Sequence, residues 1–110
     1  MHAARLRRGE DIARVRAQGI ARNTRLFSLR ALTSSEPTVR MAVSASRAVG
    51  GAVKRNRARR RIREAVHTVL RERDAAAGVD LVLLARPAAL DAPAAELRAV
   101  IDRELRQVLR

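Results

Sequence analysis

Residues 54–63 read KRNRARRRIR, and seven of these ten side chains are Lys or Arg with no acid among them. Charge that dense and of one sign either repels itself or meets an anion, because a solvated helix face ordinarily mixes signs through pairs three or four residues apart. The apolar period around the run decides which. Successive helical residues turn by about 100°. On that spacing Ala58, Ile62, Ala65, Val66 and Val69 share one face. Asn56, Arg60, Arg63 and His67 share the opposite face, and Arg57 and Arg61 flank it. An apolar stripe therefore runs beneath the charge, which predicts an amphipathic helix over residues 52–76 that packs on a sheet and carries a basic ridge outside. Gly50-Gly51 breaks the chain before it. Gly78 is expected to end it, where a left-handed residue is easiest for glycine.

The segments upstream alternate with the period of strands. In residues 25–32, Phe27, Leu29 and Ala31 face one way, and Leu26, Ser28, Arg30 and Leu32 the other. In residues 39–46, Val39, Met41, Val43 and Ala45 lie opposite Arg40, Ala42, Ser44 and Ser46. Turn residues Ser34-Ser35-Glu36-Pro37 join them, and the two are expected to pair as an antiparallel hairpin. Residues 10–18 predict a short helix with Ile12 and Val15 on one face, an acidic first turn at Glu10-Asp11 and a stop at Gly19. Residues 1–8 are basic and expected to be loosely ordered.

Downstream, residues 79–85 are almost continuously apolar and predict a strand buried on both faces, with Asp80 a turn residue and Arg86-Pro87 the end. Asp91 is a candidate cap for a last helix with Pro93 in its first turn. That helix carries Leu97, Val100, Ile101, Leu105, Val108 and Leu109 on one stripe. The pattern is αββαβα, with room for further short strands, and it defines an α+β fold with helices on a small sheet.

A chain of 110 residues suggests one domain, residues 1–110, with one core. It holds 24 basic and 11 acidic residues, a net +13. A charge of that size says nothing of fold but favours polyanionic partners. There is no cysteine, so disulfides, thiolate metal sites and cysteine nucleophiles are excluded. No apolar run is long enough to cross a bilayer, the N-terminal residues lack the hydrophobic stretch of a secretory signal, and a cytoplasmic protein is expected.

The ridge suits phosphates. Arg presents a planar fork for bidentate hydrogen bonds to phosphate, Asn56 adds a donor and acceptor for a sugar hydroxyl or base edge, and the start of the helix adds backbone N–H donors. If the ridge neutralises about six phosphates, log K falls with log salt at a slope between about −4 and −5. Catalytic constellations are missing. The chain has only His2 and His67, Ser44 and Ser46 have no histidine close in sequence, and the carboxylates are scattered. No catalytic residue and no protein-borne metal site is expected.

VRMAVSASRAVGGAVKRNRARRRIREA, residues 39–65, resembles the signature of the protein subunit of bacterial ribonuclease P. It has the Ser-x-Ser-basic strand end, the glycine, the short linker and the Arg-Asn-Arg helix. RLRRGEDIARVRAQG, residues 5–19, is similar to that family's first helix, and DLVLLARPAA, residues 80–89, to its last strand. The resemblance implies an α-β sandwich of order αβββαβα with a left-handed crossover through the long helix. It implies the non-catalytic subunit of an endoribonuclease whose RNA subunit removes the 5′ leader of precursor tRNA and leaves a 5′-phosphate. Mg²⁺ would be held mainly by the RNA and none by the protein alone. The implied partners are ribonuclease P RNA and precursor tRNA, with one protein per RNA and neither DNA nor membrane.

Carried onto this chain, the implied RNA-facing set is Ser46, Arg47, Lys54, Arg55, Asn56, Arg57, Arg60, Arg61 and Arg63. The implied leader cleft, between the sheet and the first and long helices, uses Ile12, Arg16, Phe27, Leu29, Arg40, Ala42 and Ser44. The chain departs from the family in its aromatics. Phe27 is the only one, and Ile12, Arg16 and Arg30 stand where rings are common. Phe27 has two readings, core packing and leader contact.

Three other classes fit the residues less well. A ribosomal protein or RNA chaperone would explain the charge but not a preference for precursor over mature tRNA. DNA binding lacks a helix-turn-helix pair, a zinc site or a zipper. A membrane-surface helix lacks aromatic anchors and needs its apolar face for the core.

Overall fold

The computed structural model describes residues 3–73 and 78–109. The elements in chain order are β1 (Ala4–Arg5), α1 (Gly9–Gln18), β2 (Ile20–Asn23), β3 (Phe27–Thr33) and β4 (Arg40–Ala45), then a 3-10 turn at Arg47–Val49, α2 (Ala52–Arg71) and β5 (Val79–Ala85), then a second 3-10 turn at Pro87–Leu90 and α3 (Ala94–Val108). The five strands form one mixed sheet in the order β1-β4-β5-β3-β2. The α+β class and the three strands between the first and long helices are as expected. A further two-residue strand precedes them.

The most apolar strand takes the centre. β5 pairs antiparallel with β3, Phe27 opposite Ala85 and Thr33 opposite Val79, and parallel with β4, Arg40 opposite Asp80 and Ala45 opposite Ala85. The expected hairpin of β3 with β4 is therefore wrong. A strand with apolar side chains on both faces is most stable where both faces and both edges are covered, so β5 inserts between the two. The α2 crossover delivers it parallel to β4.

Strand alternation sorts the side chains into two layers. Phe27, Leu29, Met41, Val43, Leu81 and Leu83 pack with Ala58, Ile62 and Val66 of α2 and Leu97, Ile101 and Leu105 of α3 in the main core. On the other face Val82, Leu32 and Ala42 meet Leu6 and the α1 residues Ile12 and Val15. The stripes expected on the long and last helices are the ones buried. Burying Ile62 and Leu105, each at most 1% exposed, contributes about 1.5–3 kcal/mol apiece.

Four expectations change at the element ends. Residues 3–6 are not loose: β1 runs parallel to β4, with Ala4 N–H donating to Val39 O and Leu6 N–H to Met41 O, both at 2.8 Å, while residues 1–2 of that expectation lie outside the described residues. Buried Leu6 secures it. The long helix ends at Arg71, and the last positions assigned to it, 74–76, lie outside the described residues. Gly78 is needed for close approach and not for a left-handed cap, since Gly50 is the only glycine with positive φ among the described residues. A Cβ at Gly78 would collide with the carbonyl oxygens of Glu36 and Ser34, and Ser34 N–H donates to Gly78 O at 2.8 Å. Asp91 closes the second 3-10 turn and caps no helix; Pro93 occupies the cap position of α3.

β2 follows only from the order that the resemblance implied, because IARN carries no alternation of its own. Its hold comes from elsewhere. Thr24 Oγ1 accepts hydrogen bonds from the N–H groups of Leu26 and Phe27, both at 3.1 Å, and so shapes the β2–β3 turn. Arg22 reaches across to Glu104 of α3 at 3.2 Å, and Glu104 is buried at 4% exposure.

Candidate nucleic-acid interface

The apolar face of α2 lies on the sheet, so its opposite face looks outward. Asn56, Arg57 and Arg60 are exposed there, and Lys54 is exposed in the first turn, above buried Ala58. Gly50 sets the start of the helix. It has φ 133°, and a Cβ would sit 2.8 Å from Lys54 Cδ. Only glycine takes that backbone without strain, and it turns the chain from the 3-10 turn carrying exposed Arg47 into α2. Gly51 caps the helix with no side-chain bond.

The ion pairs show where charge is neutralised. Nine are present among the described residues, on Arg8, Arg14, Arg22, Arg25, Arg40, Arg103 and Arg106. None involves a cation between Lys54 and Arg63. The paired carboxylates lie on α1, the β3–β4 turn, β5 and α3, and none of them meets a cation of the ridge. A cavity of about 390 Å³ between α1 and the β3–β4 turn mixes Arg8, Arg14 and Arg40 with Asp11 and Glu36, which cancels much of its charge internally.

Not every expected ridge residue is available. Arg61 turns toward α3 and donates to the carbonyl oxygens of Ala89 and Ala92, so it ties α2 to the second 3-10 turn. This removes Arg61 from the RNA-facing set. Arg55 and Arg63 are half-buried. Burial lowers the pKa of Arg63, as do the nearby charges of Arg5 and Arg59. Ser46 caps the first 3-10 turn, with its N–H donating to Ala85 O at 3.0 Å and its hydroxyl buried. His67 faces β1, its Nε2 3.3 Å from Ala3 O.

Two further cations lie beside the ridge near Arg63. Arg59 lies in the basic run and donates to Asn56 Oδ1, so the run itself was its signal. Arg5 arrives through β1, which no periodicity announced.

The cleft beside α1 is a second surface. Arg16, Ser28, Arg30, Ser44, Val82 and Leu84 line a cavity of about 290 Å³. Of the expected cleft residues, Arg16 and Ser44 line it, and Ile12 and Ala42 pack beside it under α1. Phe27 and Leu29 do not belong to it. They are 0% and 1% exposed on the opposite face of the sheet, in the main core. The reason is parity: Ser28 and Arg30, one residue out of step, are the ones that face α1. Arg40 is on the correct face but is held by Asp80 through two hydrogen bonds of 2.7 Å. Asp80 is thus a buried partner within β5 and not a turn residue.

Among the described residues no group of three His, Asp or Glu side chains is placed to hold a metal ion, and no helix is long and apolar enough to cross a membrane.

Fold and surface together define a basic α+β protein whose α2 carries outward cations that are unpaired among the described residues, with a polar cleft under α1 on the other face of the sheet. The chain belongs to the ribonuclease P protein family, whose model, described as Ribonuclease P, matches residues 1–109. It is 43% identical over 106 residues to the ribonuclease P protein component of Chloroflexus aurantiacus, covering 96% of this chain and 77% of that one. It is 37% identical over 100 residues to that of Dehalococcoides mccartyi, covering 91% and 80%. The fold matches the Staphylococcus aureus RNase P protein with a TM-score of 0.78 at 22% identity, over 98% of this chain and 99% of that one. It matches the Thermotoga maritima protein with a TM-score of 0.70 at 20% identity, over 90% and 96%.

Proposed function

We propose that this protein is the RNA-binding, non-catalytic subunit of ribonuclease P. Its α2 ridge holds the catalytic RNA, and its α1 cleft receives the 5′ leader of precursor tRNA, aiding endonucleolytic removal of the leader to give a 5′-phosphate. One protein joins one RNA, in the cytoplasm. The chemistry belongs to the RNA, and the Mg²⁺ it uses is held mainly there. The protein adds positive charge and position.

The observation that carries this reading is the distribution of ion pairs. Seven arginines elsewhere are neutralised by carboxylates, while no cation from Lys54 to Arg63 is, among the described residues. Exposed charge of one sign attracts a polyanion and releases its counterions on binding. Family membership identifies the polyanion as ribonuclease P RNA.

The test is reconstitution with a bacterial ribonuclease P RNA at low Mg²⁺. Adding the protein should restore cleavage of precursor tRNA and strengthen binding of leader-bearing substrate over mature tRNA. Binding to the RNA without any gain in cleavage would leave a general RNA-binding protein in its place.

A further inference from the structure

The cleft beside α1 contains no aromatic ring, and the chain has none to offer it. Phe27 is the only Phe, Tyr or Trp in the sequence, and it is fully buried on the other side of the sheet. Sites for single-stranded nucleic acid commonly hold the bases by stacking on such rings, each stacked base strengthening binding about tenfold or more. This site lacks that means.

What the cleft does hold follows from the strand register. Ser44 of β4 lies opposite Leu84 of β5, Leu84 opposite Ser28 of β3, and Ser28 opposite Asn23 of β2. Residues directly opposite across a sheet project from the same face. One row therefore crosses the floor as hydroxyl, aliphatic, hydroxyl and amide, with strands about 4.8 Å apart. Arg86 extends it, its Nη2 donating to Asn23 Oδ1 at 3.3 Å.

Arg30 stands one step along β3 on the same face, and its Nη1 donates to the backbone carbonyl of Arg16 at 2.9 Å. That bond fixes the guanidinium at the cleft wall while its remaining N–H groups stay available. Neither Arg16 nor Arg30 is ion-paired with a carboxylate among the described residues. Arg40, the other cation of this face, is occupied by Asp80.

We infer that this cleft reads its strand by the sugar–phosphate backbone and is indifferent to the bases. Arg30, positioned by the Arg16 carbonyl, and Arg16 hold phosphates, Ser28, Ser44 and Asn23 meet phosphate or ribose oxygens, and Leu84 covers a ribose or base edge without stacking. The inference rests on the proposed function, which makes the occupant the 5′ leader. Its consequence is a subunit that accepts leaders of any sequence and whose hold on them is sensitive to salt.

The experiment uses the reconstituted holoenzyme and four substrates: precursor tRNA with an unmodified leader, with a leader of abasic nucleotides, with a charge-neutral methylphosphonate leader, and mature tRNA with no leader. The quantity read is the gain in affinity that the protein gives over the RNA subunit alone. The abasic leader should keep that gain within about twofold, and the methylphosphonate leader should lose about tenfold. Arg30→Gln should reduce the gain on the unmodified leader and leave the methylphosphonate leader unchanged. An abasic loss as large as the methylphosphonate loss overturns the inference and leaves the proposed function standing. An unmodified leader that gains nothing over mature tRNA overturns the leader reading in the proposed function, and the inference with it.

Discussion

Arg40 of β4 and Asp80 of β5 lie opposite each other in the parallel register, and the guanidinium holds both carboxylate oxygens at 2.7 Å. The Asp80 side chain is 2% exposed, with Asp11 and Glu36 at 3.7 and 3.9 Å from the same guanidinium. The Asp80 hydrogen bond raises the pKa of Arg40 against the opposing effect of burial, and the charges of Asp80, Asp11 and Glu36 add to it. The pair ties the central strand to β4 and draws α1 and the β3–β4 turn onto the same point. It is a structural use of charge in a protein whose α2 cations from Lys54 to Arg63 have no carboxylate partner among the described residues.

Removing Asp80 leaves Arg40 without its main partner. Asp80→Ala is expected to destabilise the fold by about 3 kcal/mol, which lowers Tm by roughly 10–15 °C in a protein of this size. Thermal unfolding followed by circular dichroism measures it. A loss under about 1 kcal/mol would mean that solvent already screens the pair.

Arg61 and Arg60 are neighbours with opposite duties. Arg61→Met removes the donor to two carbonyls and is expected to cost about 1–3 kcal/mol with the salt slope of RNA binding unchanged. Arg60→Ala should alter stability by no more than about 0.5 kcal/mol and lower that slope by about one. Urea unfolding and salt titrations on the same two variants separate the roles, and a reversed pattern would exchange their assignments.

The two glycines before α2 also part company. Gly50→Ala places a Cβ at φ 133° and against Lys54, and is expected to destabilise by about 1–3 kcal/mol. Gly51 has φ −74° and open space around the added atom, but it holds the cap position of α2, where Ala is less favourable than Gly, so the two effects offset and Gly51→Ala should stay within about 0.5 kcal/mol of wild type. Equal effects at the two positions would contradict the backbone account.

Phe27 serves the core alone. Phe27→Leu should cost less than about 1.5 kcal/mol, Phe27→Ala about 3–5 kcal/mol, and Phe27→Leu should leave the preference for leader-bearing tRNA intact. Substrate affinities of the folded Phe27→Leu holoenzyme decide it, and a lost preference would return the ring to the cleft.

The parts of the fold set by local periodicity were legible in the sequence. The Ile62–Val66–Val69 stripe, the apolar run of β5 and the Leu97–Ile101–Leu105 stripe each carry their burial in their spacing. Strand order did not show, because nothing local in β3 or β4 says that β5 will come between them. β1 escaped because two residues hold no period, and its pairing with β4 is a long-range event. The same limit governed the site. The outward face of α2 could be read from a helical wheel, which placed Asn56, Arg57 and Arg60. Arg61 sits on the edge of that wheel, and only the arrival of Ala89 and Ala92 beside it decides its role. In the cleft, alternation already separated Phe27 from Ser28, but which of the two faces α1 depends on the sheet order.

The central claim is that the unpaired cations of α2 hold ribonuclease P RNA. It is tested most directly by the salt dependence of that complex with wild-type protein and with the Arg57→Ala/Arg60→Ala variant. The account predicts that the variant remains folded and that the slope of log K against log salt becomes shallower by about two. A variant that binds with an unchanged slope would contradict it and place the RNA on another face of the protein.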